Sequence, residues 1–280
     1  MIYYELDEET GEIKPTDKIL VEVKPGDILR RKAQLEYCRN NKNNNDEFVW
    51  LLFKYGESLF PNISAANLTR LMYVATFVDN NGFIMRKDEL KLRTKLNRAR
   101  WSEFWNEMVE NNILYEKDKN IYMNSKYIVK GKITTNKNYI RLFCEYIRQL
   151  YDGCENTADH KQLSYIFKII PYINRRTNII CKNPVEQEEK DVTPMSLGDF
   201  CDILGYDRSN ARRLAIELLK IRIDGELALG FFVSDMRVET WMLVANPKLY
   251  FGGKYDALFQ KYRNLFIEEA KNYKKVLENK

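Results

Sequence analysis

"LGYDRSNARRLAIELLK", from Leu204 to Lys220, decides how the chain is read. Gly205-Tyr206 makes a turn, and Asp207 is a good helix cap. Ala211, Leu214, Ala215 and Leu218 then recur at i, i+3, i+4 and i+7, the spacing of one buried helix face. Arg208, Ser209, Asn210, Arg212 and Arg213 fall on the other side, within the first two turns. Lys and Glu would satisfy water equally well. Arg instead grips guanine O6 and N7 in a bidentate fork, Asn does the same for adenine, and Ser hydroxyls and helix N-termini serve phosphates. The stretch reads either as a helix that enters a major groove or as a solvated face.

Laying the sequence over itself with a shift of 110 residues brings out a second copy. Met85 falls on Met195, Leu90 on Phe200, Asn97 on Asp207, Trp101 on Ala211, Phe104 on Leu214, Glu107 on Glu217, and Met108 on Leu218. After a slip of twelve, "MNSKYIVKG" (Met123 to Gly131) matches "ANPKLYFGG" (Ala245 to Gly253), with Asn124 on Asn246 and Lys126 on Lys248. Each copy has a leading helix, over 64–79 in the first and near 160–173 in the second. A short helix, a tight turn and a second helix follow, and two β-rich stretches close the unit. That is the winged helix-turn-helix plan.

The expected fold class is mainly α with small β-hairpins (α+β), with two winged helix-turn-helix modules in tandem. Residues 1–46 form an N-terminal appendage. Within it "IYYEL" and "KILVEV" pair as strands, Asp27 caps a helix, and "NNKNNND" is a polar linker. The first module spans 47–136 and opens with "FVWLLFKY" as a short apolar helix. Residues 137–253 hold a linking helix, "KNYIRLFCEYIRQLYDG", and the second module. Residues 254–280 form a C-terminal amphipathic helix. Its stripe, from Tyr255 through Phe259 and Tyr262 to Leu277, offers a packing or homodimer face.

In the first copy Asn97 begins the second helix of the motif. Trp101, Phe104, Trp105, Met108 and Val109 should pack inward, leaving Arg98, Ala99, Arg100, Ser102, Glu103 and Asn106 outside. From Arg86 to Arg100 there are seven basic and two acidic residues, a local +5 that equals the net charge of all 280 residues. Charge gathered beside a base-reading helix is an electrostatic footprint. The candidate DNA-binding residues are Lys91, Arg93, Lys95, Asn97, Arg98, Arg100 and Ser102 in the first copy. In the second they are Arg208, Ser209, Asn210, Arg212 and Arg213. Lys117 and Lys119 at the first wing tip, and Arg237 at the second, reach for flanking phosphates or the minor groove.

Enzymatic readings find little. The single histidine, His160, excludes paired-His metal motifs. There is no G-x-x-x-x-G-K-[ST] and no G-x-G-x-x-G, so no nucleotide-hydrolysing machinery is visible. The five cysteines (Cys38, Cys144, Cys154, Cys181, Cys201) never form CxxC, and read as reduced thiols of a cytoplasmic protein. The acidic "MIYYELDEETGEIKP" is no leader peptide, and no apolar run approaches the roughly 20 residues needed to span a bilayer. The expectation is a protein that is not an enzyme, carries no cofactor or metal, and has no membrane partner.

"NILYEKDKNIYMNSKYIVKG" and "PMSLGDFCDILGYDRSNARRL…ANPKLYFGG" resemble tandem winged-helix replication initiators of plasmids and phages, the RepL-like group, over roughly 60–131 and 160–253. MarR-like transcriptional regulators share the single module. The resemblance implies binding of double-stranded origin or operator DNA and recruitment of host replication or transcription proteins. Both recognition helices would enter successive major grooves, about 10–10.5 bp apart. Initiator and regulator both remain open, and the alternative is a winged-helix protein–protein interaction scaffold without specific DNA binding.

Overall fold

A computed structural model describes residues 3–6, 13–16, 47–52, 60–131, 139–186, 188–232, 240 and 242–251. The chain is mixed α and β, and its described strands all pair antiparallel. Strand β1 (Tyr3–Leu6) pairs with β2 (Ile13–Thr16), Tyr3 opposite Thr16. This nearer segment, which closes a shorter loop at lower entropic cost, is the partner seen where "KILVEV" was expected. "KILVEV" itself, the helix after Asp27, the "NNKNNND" linker and the C-terminal helix over 254–280 lie outside the described residues.

The first half opens with β3 (Phe48–Leu52), a strand where a short helix was expected. Helix α1 (Ala65–Ala75) follows, then β4 (Phe83–Arg86), α2 (Lys87–Arg93) and α3 (Arg98–Glu110). Strands β5 (Leu114–Lys117) and β6 (Asn120–Met123) form a hairpin whose two central residues, Asp118 and Lys119, both sit at positive φ. That is the backbone of a tight two-residue turn matched to strand twist. The three strands make a sheet in the order β4-β6-β5. Strand β7 (Ile128–Val129) ends the half.

The second half begins with β8 (Tyr139–Phe143), which replaces the front of the expected linking helix; only α4 (Cys144–Asp152) is helical. Helix α5 (Thr157–Lys168) starts earlier than expected. Asn156 and Asp159 form a capping box there, satisfying two otherwise orphaned amides. Helices α6 (Leu197–Leu204) and α7 (Ala211–Lys220) come next, then β9 (Arg222–Ile223), β10 (Glu226–Leu227), β11 (Leu229–Phe232), β12 (Met242–Ala245) and β13 (Tyr250–Phe251). β11 pairs with β12, and Ser196, just before α6, bridges to Met242 on β12.

β3 and β8 lie side by side at the centre of a four-stranded sheet ordered β13-β8-β3-β7. Phe48 stands opposite Phe143, Trp50 opposite Arg141, and Leu52 opposite Tyr139. On the flanks, Trp50 faces Val129 and Leu51 faces Ile128, while Arg141 faces Phe251 and Leu142 faces Tyr250. The pattern is unchanged when the halves are exchanged, so an approximate twofold axis passes through the Trp50–Arg141 pair. Helix α1 packs along α5, and the Thr69 hydroxyl donates to the His160 carbonyl at 2.7 Å. One contiguous core runs from Val49 to Tyr250 through both halves.

The aligned asparagines have matching bonds. The Asn124 side-chain oxygen accepts from the Lys126 amide at 3.0 Å, and its Nδ2 donates to the Asn112 carbonyl at 2.9 Å. Asn246 accepts from the Lys248 amide at 2.9 Å and donates to the Leu227 carbonyl at 2.8 Å. Each asparagine sets the turn that returns its half to the central sheet.

Candidate nucleic-acid interface

In the first half Leu90 plugs α2 into the core, and the Thr94 hydroxyl donates to the Leu90 and Lys91 carbonyls at 3.0 and 3.1 Å. These bonds close the helix end. Lys95 then takes φ 53°, the left-handed conformation that turns the chain. Asn97 caps α3, its oxygen accepting from the Arg100 amide at 3.0 Å. Trp101, Phe104 and Met108 are buried as expected, but Trp105 is only half-buried and Val109 is 41% exposed. The buried stripe is narrower than expected: it centres on 101, 104 and 108, and 105 and 109 form its rim. Arg98, Ala99, Arg100, Ser102, Glu103 and Asn106 all face solvent.

The rest of the first-half basic patch is partly engaged. Arg93 pairs with Glu89 at 3.2 Å, one helical turn back, and lies over the Phe77 ring at 5.2 Å. Lys95 meets Asp152 of α4 at 3.2 Å. Both are exposed pairs, worth about 0–1 kcal/mol, so these cations are only weakly held. Lys91, Lys117 and Lys119 are exposed, with no carboxylate partner among the described residues.

In the second half Ser196 and Asp199 form a capping box at the start of α6. Gly205 supplies the left-handed turn at φ 70°, the counterpart of Lys95. Asp207 caps as expected, accepting from the Ser209 amide at 2.8 Å, but Arg208–Asn210 is a 3₁₀ turn and the α-helix starts only at Ala211. Arg208 is also not free for base edges. Its guanidinium holds the Asp202 carboxylate through two nitrogens, Nε to Oδ1 at 3.1 Å and Nη2 to Oδ2 at 2.5 Å. Asp199 adds its charge at 3.6 Å. The hydrogen bond from Arg208 holds the Asp202 carboxyl below its usual range. Ser209, Asn210, Arg212 and Arg213 are exposed, and Ala211, Leu214, Ala215 and Leu218 are buried. Arg237 lies outside the described residues.

Two anchoring acids were aligned from sequence without their job being recognised. The Glu107 carboxylate on α3 accepts from the amide and hydroxyl of Ser64 and from Asn67, binding α3 to the start of α1. Glu217 on α7 accepts from Gln162 of α5 at 2.6 Å. Each exposed arginine helix is thus tied from behind to its leading helix.

A polar seam at the junction of the halves was not foreseen. Arg70 is buried on α1 and donates to Asn67. His160 is buried on α5, and its Nδ1 donates to the Asn156 carbonyl at 2.8 Å. Burial pulls the imidazole below its usual range; the Asn156 bond opposes this, and the Arg70 and Arg100 charges add to it. Tyr151 of α4 stacks on Tyr73, ring centroids 3.9 Å apart, and its hydroxyl donates to the Thr94 carbonyl at 2.9 Å. The seam therefore reaches the turn before α3. His160 alone signalled it, as a polar residue on an apolar helix face.

Among the described residues no three His, Cys, Asp or Glu side chains cluster as metal ligands, and no helix is long and apolar enough to cross a membrane. Cys144, Cys154, Cys181 and Cys201 are free thiols, and burial pushes that of Cys144 up to about 12. Comparison with protein-family models, with curated proteins and with solved structures finds no match for this chain.

Proposed function

We propose that the chain is a sequence-specific double-stranded DNA-binding protein, built from two winged helix-turn-helix units and acting as a replication initiator or a transcriptional regulator. The observation that carries this reading is the exposure, in both halves, of arginine and small polar side chains, on the first turns of α3 in one and on the 3₁₀ turn and first turn of α7 in the other, combined with the approximate twofold. A twofold rotation leaves height along its axis unchanged. Equivalent helices therefore share one height along the axis, on opposite sides of it, which supports a reading in which both approach one duplex. Twofold-related helices are the arrangement by which paired helix-turn-helix units enter successive major grooves, about 10–10.5 bp apart.

In this reading Arg98, Arg100 and Ser102 face one half-site, and Ser209, Asn210, Arg212 and Arg213 face the other. Lys91, Arg93, Lys95, Lys117 and Lys119 hold phosphates. Arg208 belongs to the scaffold of its turn.

Selection of bound sequences from a random duplex pool tests the proposal. The expected winners contain two dissimilar half-sites in inverted orientation, about one helical turn apart, bound by one chain. Binding should weaken steeply with salt, by about 0.9 logarithmic units per neutralised phosphate per decade of salt. Winners with no shared sequence would overturn the proposal and favour a protein-binding scaffold.

A further inference from the structure

The β4-β6-β5 sheet has a second face, and it is not packed like the first. Ile121 and Met123 of β6 point into the core, so Asn120 and Tyr122 point away from it. The register then builds two rows across the outer face. One is Phe83–Tyr122–Tyr115 and the other is Arg86–Asn120–Lys117. The rings are in contact: Phe83 meets Tyr122 edge-on at 5.6 Å, and Tyr122 and Tyr115 lie nearly parallel at 5.5 Å. Tyr115 is 49% exposed, and Phe83 and Tyr122 are half-buried. In the basic row, Arg86 and Lys117 are exposed, with Lys119 beside them at the hairpin tip. No carboxylate pairs with any of these three among the described residues, whereas nearby Lys87 is matched by Glu116 at 2.6 Å.

We propose that this outer face binds single-stranded nucleic acid, the Phe83–Tyr122–Tyr115 row stacking on unpaired bases and the Arg86–Lys117 row holding the phosphates. An aromatic row beside a cationic row, both carried on a sheet, meets the two needs of an unpaired strand: a π-face for each base and positive charge along the backbone. A duplex cannot use the rings, because its base faces are already stacked inside the helix. An apolar protein partner would bury Arg86 and Lys117 without counter-ions, at a cost of several kcal/mol per charge. The rings of this face play no part in the duplex reading, so the proposal goes beyond that reading and does not depend on it; Lys117 and Lys119 alone serve phosphates in both. Because Lys117 and Lys119 are shared, strand and duplex would compete for the hairpin tip, while the rings serve the strand alone.

The test titrates the full chain against a short fluorescent oligo-dT strand and, separately, against a selected duplex. Tyr115→Ala, Tyr122→Ala and Tyr115→Phe are compared, with thermal unfolding as the check on folding. The chain should bind the strand, Tyr115→Ala should weaken it about tenfold, and Tyr115→Phe should stay within about twofold because the ring remains. Duplex affinity should not move, and photocrosslinks to the strand should map to Tyr115 or Tyr122. Absence of strand binding at low salt overturns the proposal. So does unchanged strand binding by folded Tyr115→Ala and Tyr122→Ala, and so do crosslinks confined to α3, which would assign the strand to that helix. Loss of duplex binding alone would count against the proposed function and leave the strand site standing.

Discussion

Helix α3 in the first half runs for 13 residues from its Asn97 cap and carries Arg98 and Arg100 into solvent, neither of them in an ion pair among the described residues. Helix α7 in the second half runs for 10, is preceded by a 3₁₀ turn, and the arginine at its entrance is held by Asp202. The cores under the two helices differ in the same spirit. Trp101 and Phe104 fill the first, where Ala211 and Leu214 suffice in the second. One plan is therefore realised with different emphasis. The first half places bulk inside and cations outside. The second closes its turn with an ion pair and exposes a shorter basic face. The comparison predicts unequal roles for the halves and can be broken at several points.

The largest effects lie in the core. Phe104→Ala should cost about 3–5 kcal/mol and Leu214→Ala about 2–5 kcal/mol, each by lost burial plus a cavity. Because one cluster joins the halves, both variants should lower the midpoint of a single denaturant transition. Two separate transitions would mean that the halves fold independently and that the shared core is not cooperative.

Next come the exposed arginines. Arg100→Ala and Arg212→Ala should each remove about 1–3 kcal/mol of base discrimination, measured by binding to duplexes carrying single substitutions. The affected positions should fall in different half-sites. If both variants relaxed the same position, the pairing of halves with half-sites would be wrong.

Helices α3 and α7 were legible because a helix buried on one side writes its period and caps into consecutive residues. Asn97, Asp207, Trp101, Phe104, Ala211 and Leu214 all sit as that period requires. The central sheet was not legible. "FVWLL" and "YIRLF" are short apolar runs, and periodicity cannot separate such a run from a buried helix. What makes them strands is pairing with each other across the chain, which no local window contains. The Arg208–Asp202 clamp was hidden for a related reason. The two residues stand six apart, outside the i,i+3 and i,i+4 pairs of a single helix, and only the turn at Gly205 brings them together.

The junction between the halves offers a gentler perturbation. The folded His160 has its pKa below the unfolded value, since burial disfavours the imidazolium. Above the unfolded pKa both states are neutral and the residue adds no pH dependence. As pH falls through that value the unfolded chain takes up a proton that the folded chain refuses, so stability drops, by at most about 1.4 kcal/mol per pH unit, until the folded pKa is passed. His160 is the only histidine. His160→Gln should therefore flatten the stability profile between about pH 7 and pH 5, measured by denaturant unfolding.

The ion pair of the second half can be opened directly. Asp202→Asn keeps the shape of the side chain and removes its charge, so Arg208 becomes available to a phosphate. Duplex affinity should rise, and the salt dependence should steepen by about 0.9 logarithmic units, one further phosphate contact. Folding should change little, because Arg208 and Asp202 are both exposed and exposed pairs contribute about 0–1 kcal/mol. A variant that instead binds more weakly would show that the clamp positions Arg212 and Arg213, so that the shorter basic face depends on its ion pair.

The smallest effects distinguish the two turns. Lys95 and Gly205 occupy equivalent places in the left-handed region, at φ 53° and 70°. A lysine there is strained by its Cβ, and a glycine is not. Lys95→Gly relieves that strain but gives the unfolded chain more freedom, so the net gain should be only about 0.5 kcal/mol. Gly205→Ala runs the other way. A Cβ at Gly205 would meet nothing within 4 Å, so its cost, about 1 kcal/mol, is purely conformational. Binding separates the pair more sharply than stability does. Lys95→Gly should lose one phosphate contact across all sequences alike, whereas Gly205→Ala, with no charge removed, should leave the salt slope as it was. If Lys95→Gly left duplex binding untouched, Lys95 would serve only Asp152 and the turn, and the cationic surplus of the first half would be smaller by that residue.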